Sequence, residues 1–141
     1  MAMSMRRVLS IVAILIALAT AAVSAASPQF DSTRLYSEAE FTAAIKPYTD
    51  SIARSANDAE AHYWLGIAYL YAYQLSKLGL APYAGRFGGR AVASLERSVQ
   101  LKPDPAAMLA LEHAYILVGA VGKWAGLVDR LLAATPPIPL K

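Results

Sequence analysis

The stretch NDAEAHYWLGIAYL, residues 57–70, constrains the fold of this chain more than any other. Within it Leu65 is followed by Tyr69, and 46 residues further along the chain Leu111 and Tyr115 repeat the same pair at the same spacing. An internal repeat of this kind is typical of stacked helical hairpins, each of which buries its apolar face against a neighbour. Such a fold favours a surface that holds another molecule over a cleft that transforms one.

The N-terminus has the three-part pattern of a secretory signal peptide. Arg6 and Arg7 form a short basic region, an apolar run extends from Val8 to Ala22, and small residues allow cleavage near Ala25 or Ala26. The alternative is an uncleaved anchor in the inner membrane, but the run is shorter than the roughly 20 residues that span a bilayer comfortably. We therefore expect a periplasmic or secreted protein, with membrane contact only if this segment is retained.

Removal of residues 1–26 changes the charge argument. The formal net charge falls from +3 to +1, because Arg6 and Arg7 are lost while every acidic residue remains. A nearly neutral protein gives no reason to expect nucleic acid as a partner. The chain has no cysteine, which excludes disulfides, thiolate catalysis and cysteine-bound metals. Residues 27–141 are long enough for one domain with its own core.

Helical periodicity runs through most of this domain. Ser37 and Glu40 have the spacing of a capping box, and Asn57 or Asp58 is suited to cap the next helix. Gly79 is a plausible end for that second helix. The predicted helices cover residues 34–56, 59–78, 90–101, 106–118 and 123–134, with a loop at 80–89, a turn at 119–122 and an extended tail at 135–141. The pattern predicts no strand.

Pro47 interrupts the first of these helices. Proline inside a helix removes a hydrogen bond and clashes with the preceding turn. We expect either a kink there or a break, with residues 48–55 forming a separate helix. The apolar positions that indicate the first helix are Leu35, Ala39, Ala43 and Ala44, which recur at steps of three and four residues.

These motifs resemble the tetratricopeptide repeat family, whose unit is a helix–turn–helix with W-x2-L-G-x2-Y in its first helix and a closing proline. Leu65, Gly66 and Tyr69 fill the first-helix positions, and His62 stands where the family often has tryptophan. The resemblance implies an all-α fold, a short solenoid of about five helices. The chain as a whole is similar to small exported bacterial proteins that have such repeats and a long insertion between helices.

The resemblance divides the domain into a half unit at 38–58, a unit with an insertion at 59–104 and a terminal unit at 105–138. From Leu111 to Pro136 the distance is 25 residues, which is the family spacing, whereas from Leu65 to Pro103 it is 38. The surplus of 13 residues falls in the region 77–89. The positions that carry the second helix of the inserted unit are Ala91, Leu95 and Ser98, and those of the half unit are Phe41, Ala44, Tyr48 and Ser51. Glu112 and Trp124 depart from the family pattern in the terminal unit.

The resemblance also implies an inner, concave face built by the first helix of each unit. Its positions in the inserted unit are Glu60, Tyr63, Ile67, Leu70 and Tyr71, and those in the terminal unit are Ala106, Leu109, His113, Ile116 and Leu117. This face would take an extended or helical peptide, with Tyr63 and Tyr71 as aromatic anchors. The alternative is that so short a solenoid buries these residues against its own N-terminal helix.

The insertion is a second candidate contact surface. Tyr83, Arg86, Phe87 and Arg90 combine aromatic rings with guanidinium groups, a mixture suited to stacking and to carboxylate or phosphate contacts. The alternative is an ordered loop that packs Tyr83 and Phe87 onto the hairpin and leaves the arginines in solvent.

Catalytic and metal-binding patterns are weak. His62 and His113 are the only histidines and lie in different hairpins, and the sequence contains neither H-E-x-x-H nor G-x-S-x-G. We therefore predict no cofactor and no metal. The tail from Pro136 to Pro139 fits P-x-x-P formally, although it is better explained as the end of the last helix.

The sequence thus predicts a non-enzymatic module of the periplasm or cell envelope that binds another protein or peptide, or serves as a scaffold. One alternative is an obligate structural subunit of an envelope complex, and a homo-oligomer is a related one. A less favoured alternative is an enzyme acting on cell-wall material through Glu60 or Asp58.

Overall fold

The computed structural model describes residues 27–134, and within that range every regular element is helical. The predicted all-α class is confirmed. There are five α-helices and one short 3-10 turn: α1 is Glu38–Arg54, α2 is Ala59–Lys77, the 3-10 turn is Pro82–Ala84, α3 is Gly88–Leu101, α4 is Pro105–Val118 and α5 is Val121–Ala134. The predicted signal segment and the proline-rich tail lie outside the described residues.

The first helix begins where its capping chemistry places it. The Ser37 hydroxyl accepts from the backbone of Glu40, and the Glu40 carboxylate accepts from the backbone N–H of Ser37 at 2.8 Å. The helix starts at Glu38 and not at Arg34, because this capping box fixes its first turn. Leu35 is 58% exposed and therefore forms no part of the core.

Pro47 does not divide this helix. The prediction of a separate helix at 48–55 is wrong, since α1 runs without interruption from Glu38 to Arg54. Proline at this position leaves the carbonyl of Ala43 without its helical donor. Ala43 lies on the exposed side of α1, where water can take up that carbonyl. The buried side carries Phe41 and Tyr48, two turns apart.

The second helix is the centre of the molecule. Asp58 caps it by accepting from the backbone of Ala61 at 2.9 Å, as predicted. Gly79 takes a left-handed conformation with φ of 75° just past its end, and Leu80 donates back to the carbonyl of Leu75. Helix α2 contacts α1, α3 and α4, which explains why it is apolar around most of its circumference.

Helices α2 and α3 approach each other closely at Gly66. A side chain there would place its Cβ 2.6 Å from Cγ of Leu95, so only glycine allows α2 and α3 to pack at this distance. Leu95 itself is fully buried. The packing of α2 on α3 therefore depends on the absence of a side chain at Gly66.

The insertion contains less irregular loop than its glycines suggest. The turn Pro82–Ala84 packs on α2, and α3 begins at Gly88, two residues before the predicted start. Gly88 is buried because its Cα faces Tyr73 and Val118, where an added Cβ would lie only 3.0 Å from a Val118 methyl. The sequence predicts a loop for this glycine-rich stretch. In the structure, the lack of a side chain at Gly88 allows α3 to begin in contact with Tyr73 and Val118.

The last hairpin follows standard capping rules. The Asp104 carboxylate accepts from the backbone of Ala106, Pro105 occupies the first turn of α4, and Gly119 ends that helix with φ of 74°. Helix α5 then starts at Val121 and not at Lys123. Each helix packs against the next helix along the chain, and α2 also contacts α4. Within residues 27–134 no helix is both long and apolar enough to cross a bilayer.

Candidate functional site

The predicted concave face contains a groove between α2 and α4. Four of the predicted residues line it together, and its volume is about 330 Å³. Three of the four lie at steps of three and four residues on α2, and the fourth lies opposite them on α4. The lining consists of Ile67, Leu70, Tyr71 and Gln74 from α2, Ala110 and His113 from α4, and Ser32 from the N-terminal segment.

The α4 side of this face is open to solvent. Leu109 is 61% exposed and Ile116 is 58% exposed, and they lie one turn before and one turn after His113 on the same side of the helix. Ala106 is exposed as well, whereas Leu117 is half-buried. Large apolar side chains exposed beside a groove are typical of contact surfaces.

A hydrogen bond crosses the groove between Gln74 and His113. It joins the Gln74 amide nitrogen to Nε2 of the imidazole. Gln74 was not among the predicted residues, although it continues the stripe of Tyr63 and Ile67 by two further turns. Ser32 carries no signal in the sequence, because it reaches the groove only through tertiary packing.

A second hollow lies at the N-terminal ends of α2 and α4. It has a volume of about 240 Å³ and is lined by Glu60, Tyr63, Trp64 and Asp104, among others. The Tyr63 and Trp64 rings meet edge to face, with centroids 4.9 Å apart. Burial, assisted by the Asp104 carboxylate, raises the pKa of Tyr63. The predicted anchors Tyr63 and Tyr71 therefore border different hollows of the same helix.

The carboxylate of Asp58 has a structural role. It caps α2 and accepts from the Ser51 hydroxyl at 2.6 Å. Burial opposes its ionisation, but these hydrogen bonds outweigh that effect and lower the pKa of Asp58. Glu60 is exposed on the first turn of α2. The Asp58 carboxylate is thus engaged in helix capping, and a role in catalysis would compete with these hydrogen bonds.

The N-terminal segment covers one edge of the predicted face. Residues 27–36, which we call the strap, precede α1 and pack beside Tyr71, whose hydroxyl donates to the Arg34 carbonyl at 2.8 Å. The alternative expectation was burial against an N-terminal helix. In the structure the non-helical strap covers the Tyr71 edge, and Leu70 is only 6% exposed. Ile67 and His113 lie beside the open groove.

The insertion residues separate into two groups. Phe87 is 5% exposed and stacks on Phe41 at 5.3 Å, and the Tyr83 hydroxyl donates to the Tyr36 carbonyl at 3.0 Å. The expectation of Phe87 as a surface contact is therefore wrong. The structure matches the alternative, an ordered loop that packs Tyr83 and Phe87 onto the hairpin and leaves the arginines in solvent.

The two arginines of the insertion do lie on the surface. Arg86 pairs with Glu38 at 3.5 Å, and both side chains are well exposed. The Arg90 guanidinium lies 5.5 Å from the centre of the Phe87 ring and 5.9 Å from that of Tyr69. These groups shield the aromatic core from solvent. The structure brings neither arginine to the groove between α2 and α4.

A hydrogen-bonded group on the other side of α4 was missed by sequence reasoning. Glu96 of α3 accepts from the Tyr115 hydroxyl at 2.7 Å and from Nζ of Lys123 at 2.8 Å, so it joins three helices. Burial, together with the bond to Glu96, raises the pKa of Tyr115 to about 12. Burial opposes ionisation of Glu96, but the bonds from Lys123 and Tyr115 lower its pKa overall.

The described residues bring no metal-binding cluster together. Over residues 27–134, no group of three or more His, Cys, Asp or Glu side chains is placed to hold an ion. His62 contacts the carbonyl of Ala56 at 3.0 Å, away from His113 in the groove. Each histidine thus has a local hydrogen-bonding partner of its own.

Comparison with known proteins identifies no relative. No family model matches the chain, and neither the curated proteins nor the solved structures contain a match to it.

Proposed function

We propose that this protein is a non-enzymatic binding module of the tetratricopeptide type, which holds a peptide segment of another protein in the groove between α2 and α4. The observation that carries this proposal is the convergence of Ile67, Leu70, Tyr71 and His113 on one open groove. The resemblance to the tetratricopeptide repeat family implies these four positions as part of its concave face. The stacking of the helices in chain order, with α2 touching α4, supports the same assignment.

The chemistry of the groove indicates the kind of segment it would hold. Its polar side chains are Ser32, Gln74 and His113, of which the last two contact each other across it, and the rest of the lining is aliphatic or aromatic. Leu109 and Ile116 extend the apolar surface along α4. A ligand with two or three apolar side chains and one hydrogen-bonding group opposite Gln74 would satisfy this lining.

Selection of a peptide from a random library tests the proposal. A phage-displayed library of 12-residue peptides would be selected on the protein, and the recovered peptides measured by fluorescence anisotropy. We expect Leu109→Asp to weaken their binding at least about tenfold, or ~1.4 kcal/mol. Ala93→Asp, at an exposed position on α3, is the control and should leave the affinity unchanged. Peptides that bind both variants equally would contradict a site in the groove.

A structural subunit is the second candidate. It is favoured by Val121 and Leu132 on α5, which are each 69% exposed and add to the uncovered apolar surface of the last hairpin. A permanent partner, or a second copy of the chain, would cover them. Light scattering after size exclusion distinguishes the two, since a stable monomer argues against an obligate subunit.

We further propose that the protein is exported and acts in the periplasm or outside the cell. The support is the basic, apolar and small-residue pattern of residues 1–26. Intact mass after expression with export tests this. A chain that begins at Ala26 or Ser27 is expected, and a chain that retains the segment in a membrane fraction would indicate an anchor.

A further inference from the structure

The strap is held in the manner of a bound peptide. Three tyrosine hydroxyls from the helical part donate to its main-chain carbonyls, each at 2.8 to 3.0 Å. Tyr48 donates to Pro28, Tyr71 to Arg34 and Tyr83 to Tyr36. Because these bonds reach only backbone atoms, they do not depend on the side chains that the strap carries at those positions.

The most deeply buried side chain of the strap is Phe30. Phe30 is 7% exposed, whereas its neighbours Gln29 and Asp31 are exposed. Its ring lies 6.2 Å from that of Phe41 on α1 and 5.8 Å from that of Tyr71 on α2, at edge-to-face angles. We call the space between Phe41 and Tyr71 the aromatic slot.

The strap is otherwise attached by local contacts. Asp31 accepts from the backbone and hydroxyl of Thr33, and the Tyr36 hydroxyl donates to the Asp31 carbonyl. Arg34 pairs with Glu40 at the start of α1, where both side chains are about half exposed. Exposed pairs of this kind add little stability. The attachment therefore depends on the rings of Phe30 and Tyr36, which both pack on Phe41, and on the tyrosine hydroxyls.

We propose that the aromatic slot is a binding site for the aromatic side chain of a peptide segment, and that Phe30 of the strap fills this site within the same molecule. The tyrosine hydroxyls bind the main chain of such a segment, and the slot selects its aromatic ring. The ligand in the other state is a segment of a partner protein with phenylalanine at the anchoring position.

This site is distinct from the groove between α2 and α4, but the two share Tyr71. Its ring contacts Phe30 on one side, and the same residue lines the groove. Ser32 of the strap also borders the groove. Displacement of the strap would therefore remove part of the groove wall, so the two sites are coupled. The proposal for the slot does not require that the groove has a ligand.

The test adds the strap as a separate peptide. A fluorescent peptide with the sequence SPQFDSTRLYS, residues 27–37, is titrated against the protein as isolated from cells and against its Phe30→Ala variant. The variant lacks the anchor, so its slot is open to the added peptide. We expect at least tenfold tighter binding to the variant than to the unchanged protein, and a peptide with alanine at the phenylalanine position should lose at least tenfold in affinity.

Two further variants keep the test decisive. Leu35→Ala changes an exposed strap residue and should bind the peptide no better than the unchanged protein. Phe30→Leu keeps an apolar side chain in the slot and should give an intermediate affinity, and it replaces Phe30→Ala if circular dichroism shows that the alanine variant does not fold. Equal affinity of a folded Phe30 variant and the unchanged protein would overturn the proposal.

The mass of the unchanged protein gives an independent check. Filling of the slot within one molecule predicts a monomer. A dimer that forms with rising concentration and disappears in Phe30→Leu would show exchange of straps between copies, and it would overturn the assignment of the strap to its own chain.

Discussion

The helices α1 to α3 and the α4–α5 hairpin bury their large side chains to different degrees. In the first region Phe41, Tyr48 and Leu95 are almost completely enclosed. In the second, Leu109 and Leu132 are each more than 60% exposed, although Leu111 and Leu127 face inward. Within residues 27–134, α2 packs against α1, α3 and α4, whereas the main helix contact of α5 is with α4. The difference locates the surface that is available for a partner.

The aromatic side chains make the first region cohesive. The Phe41 ring lies within 6.5 Å of the rings of five other residues, drawn from the strap, α2 and the insertion. These are Phe30, Tyr36, Tyr69, Tyr83 and Phe87. Three segments that are distant in the sequence thus depend on one side chain of α1.

The largest effect expected from this comparison is at Phe41. Phe41→Ala should destabilise the protein by about 3–5 kcal/mol, because it leaves a cavity at the centre of the ring cluster. The matched change Leu132→Ala on α5 should alter stability by less than about 0.5 kcal/mol, since that side chain is 69% exposed. Urea unfolding followed by circular dichroism measures both. Similar losses for the two variants would contradict the division into a cohesive and an open region.

Local sequence chemistry was sufficient to predict several boundaries of the fold. The Ser37 capping box, the Asp58 cap and the left-handed Gly79 each involve residues within a few positions of one another. Pro47 was less predictable, because the outcome depends on which side of the helix faces water. The early start of α3 at Gly88 depends on Tyr73 and Val118, which are distant in sequence.

The candidate site was predictable to a similar extent. Periodicity placed Ile67, Leu70 and Tyr71 on one side of α2, where the structure has the groove. The strap could not be foreseen, since its attachment uses hydroxyl-to-carbonyl bonds that produce no periodic pattern. The burial of Phe87 matches the alternative of an ordered loop packed onto the hairpin, although nothing in the sequence indicates that its partner is Phe41.

Two glycines sharpen the comparison between the regions. Gly66→Ala should cost about 1–3 kcal/mol, because its Cβ would lie 2.6 Å from Cγ of the buried Leu95 and would force α2 away from α3. Gly126→Ala on α5 meets no atom within 4 Å and should stabilise the protein by about 0.5–1 kcal/mol through helix propensity. The midpoints of thermal unfolding should move in opposite directions. A shift in the same direction for both would mean that the packing of α2 on α3 can relax.

The smallest expected effect concerns the attachment of the last hairpin to α3 through Tyr115 and Glu96. Tyr115→Phe removes the hydrogen bond of 2.7 Å and should cost about 1 kcal/mol near neutral pH. A raised pKa in the folded state means that the neutral phenol is the stabilised form. Its contribution is complete below pH 10 and is lost as the pH rises through about 12, because the unfolded chain ionises first.

The unfolding free energy should therefore fall less steeply between pH 10 and 12 in Tyr115→Phe than in the unchanged protein. Glu96→Gln keeps an acceptor for the Tyr115 hydroxyl but removes the charge that helps to raise its pKa, so its slope should lie between the other two. Denaturant unfolding at a series of pH values measures all three. An unaltered slope in Tyr115→Phe would place the alkaline loss of stability elsewhere, in the phenols of Tyr48, Tyr63 or Tyr83, whose pKa values are also raised by burial. The open hairpin would then be attached to the rest of the molecule mainly by the apolar packing of Leu111 and Leu127.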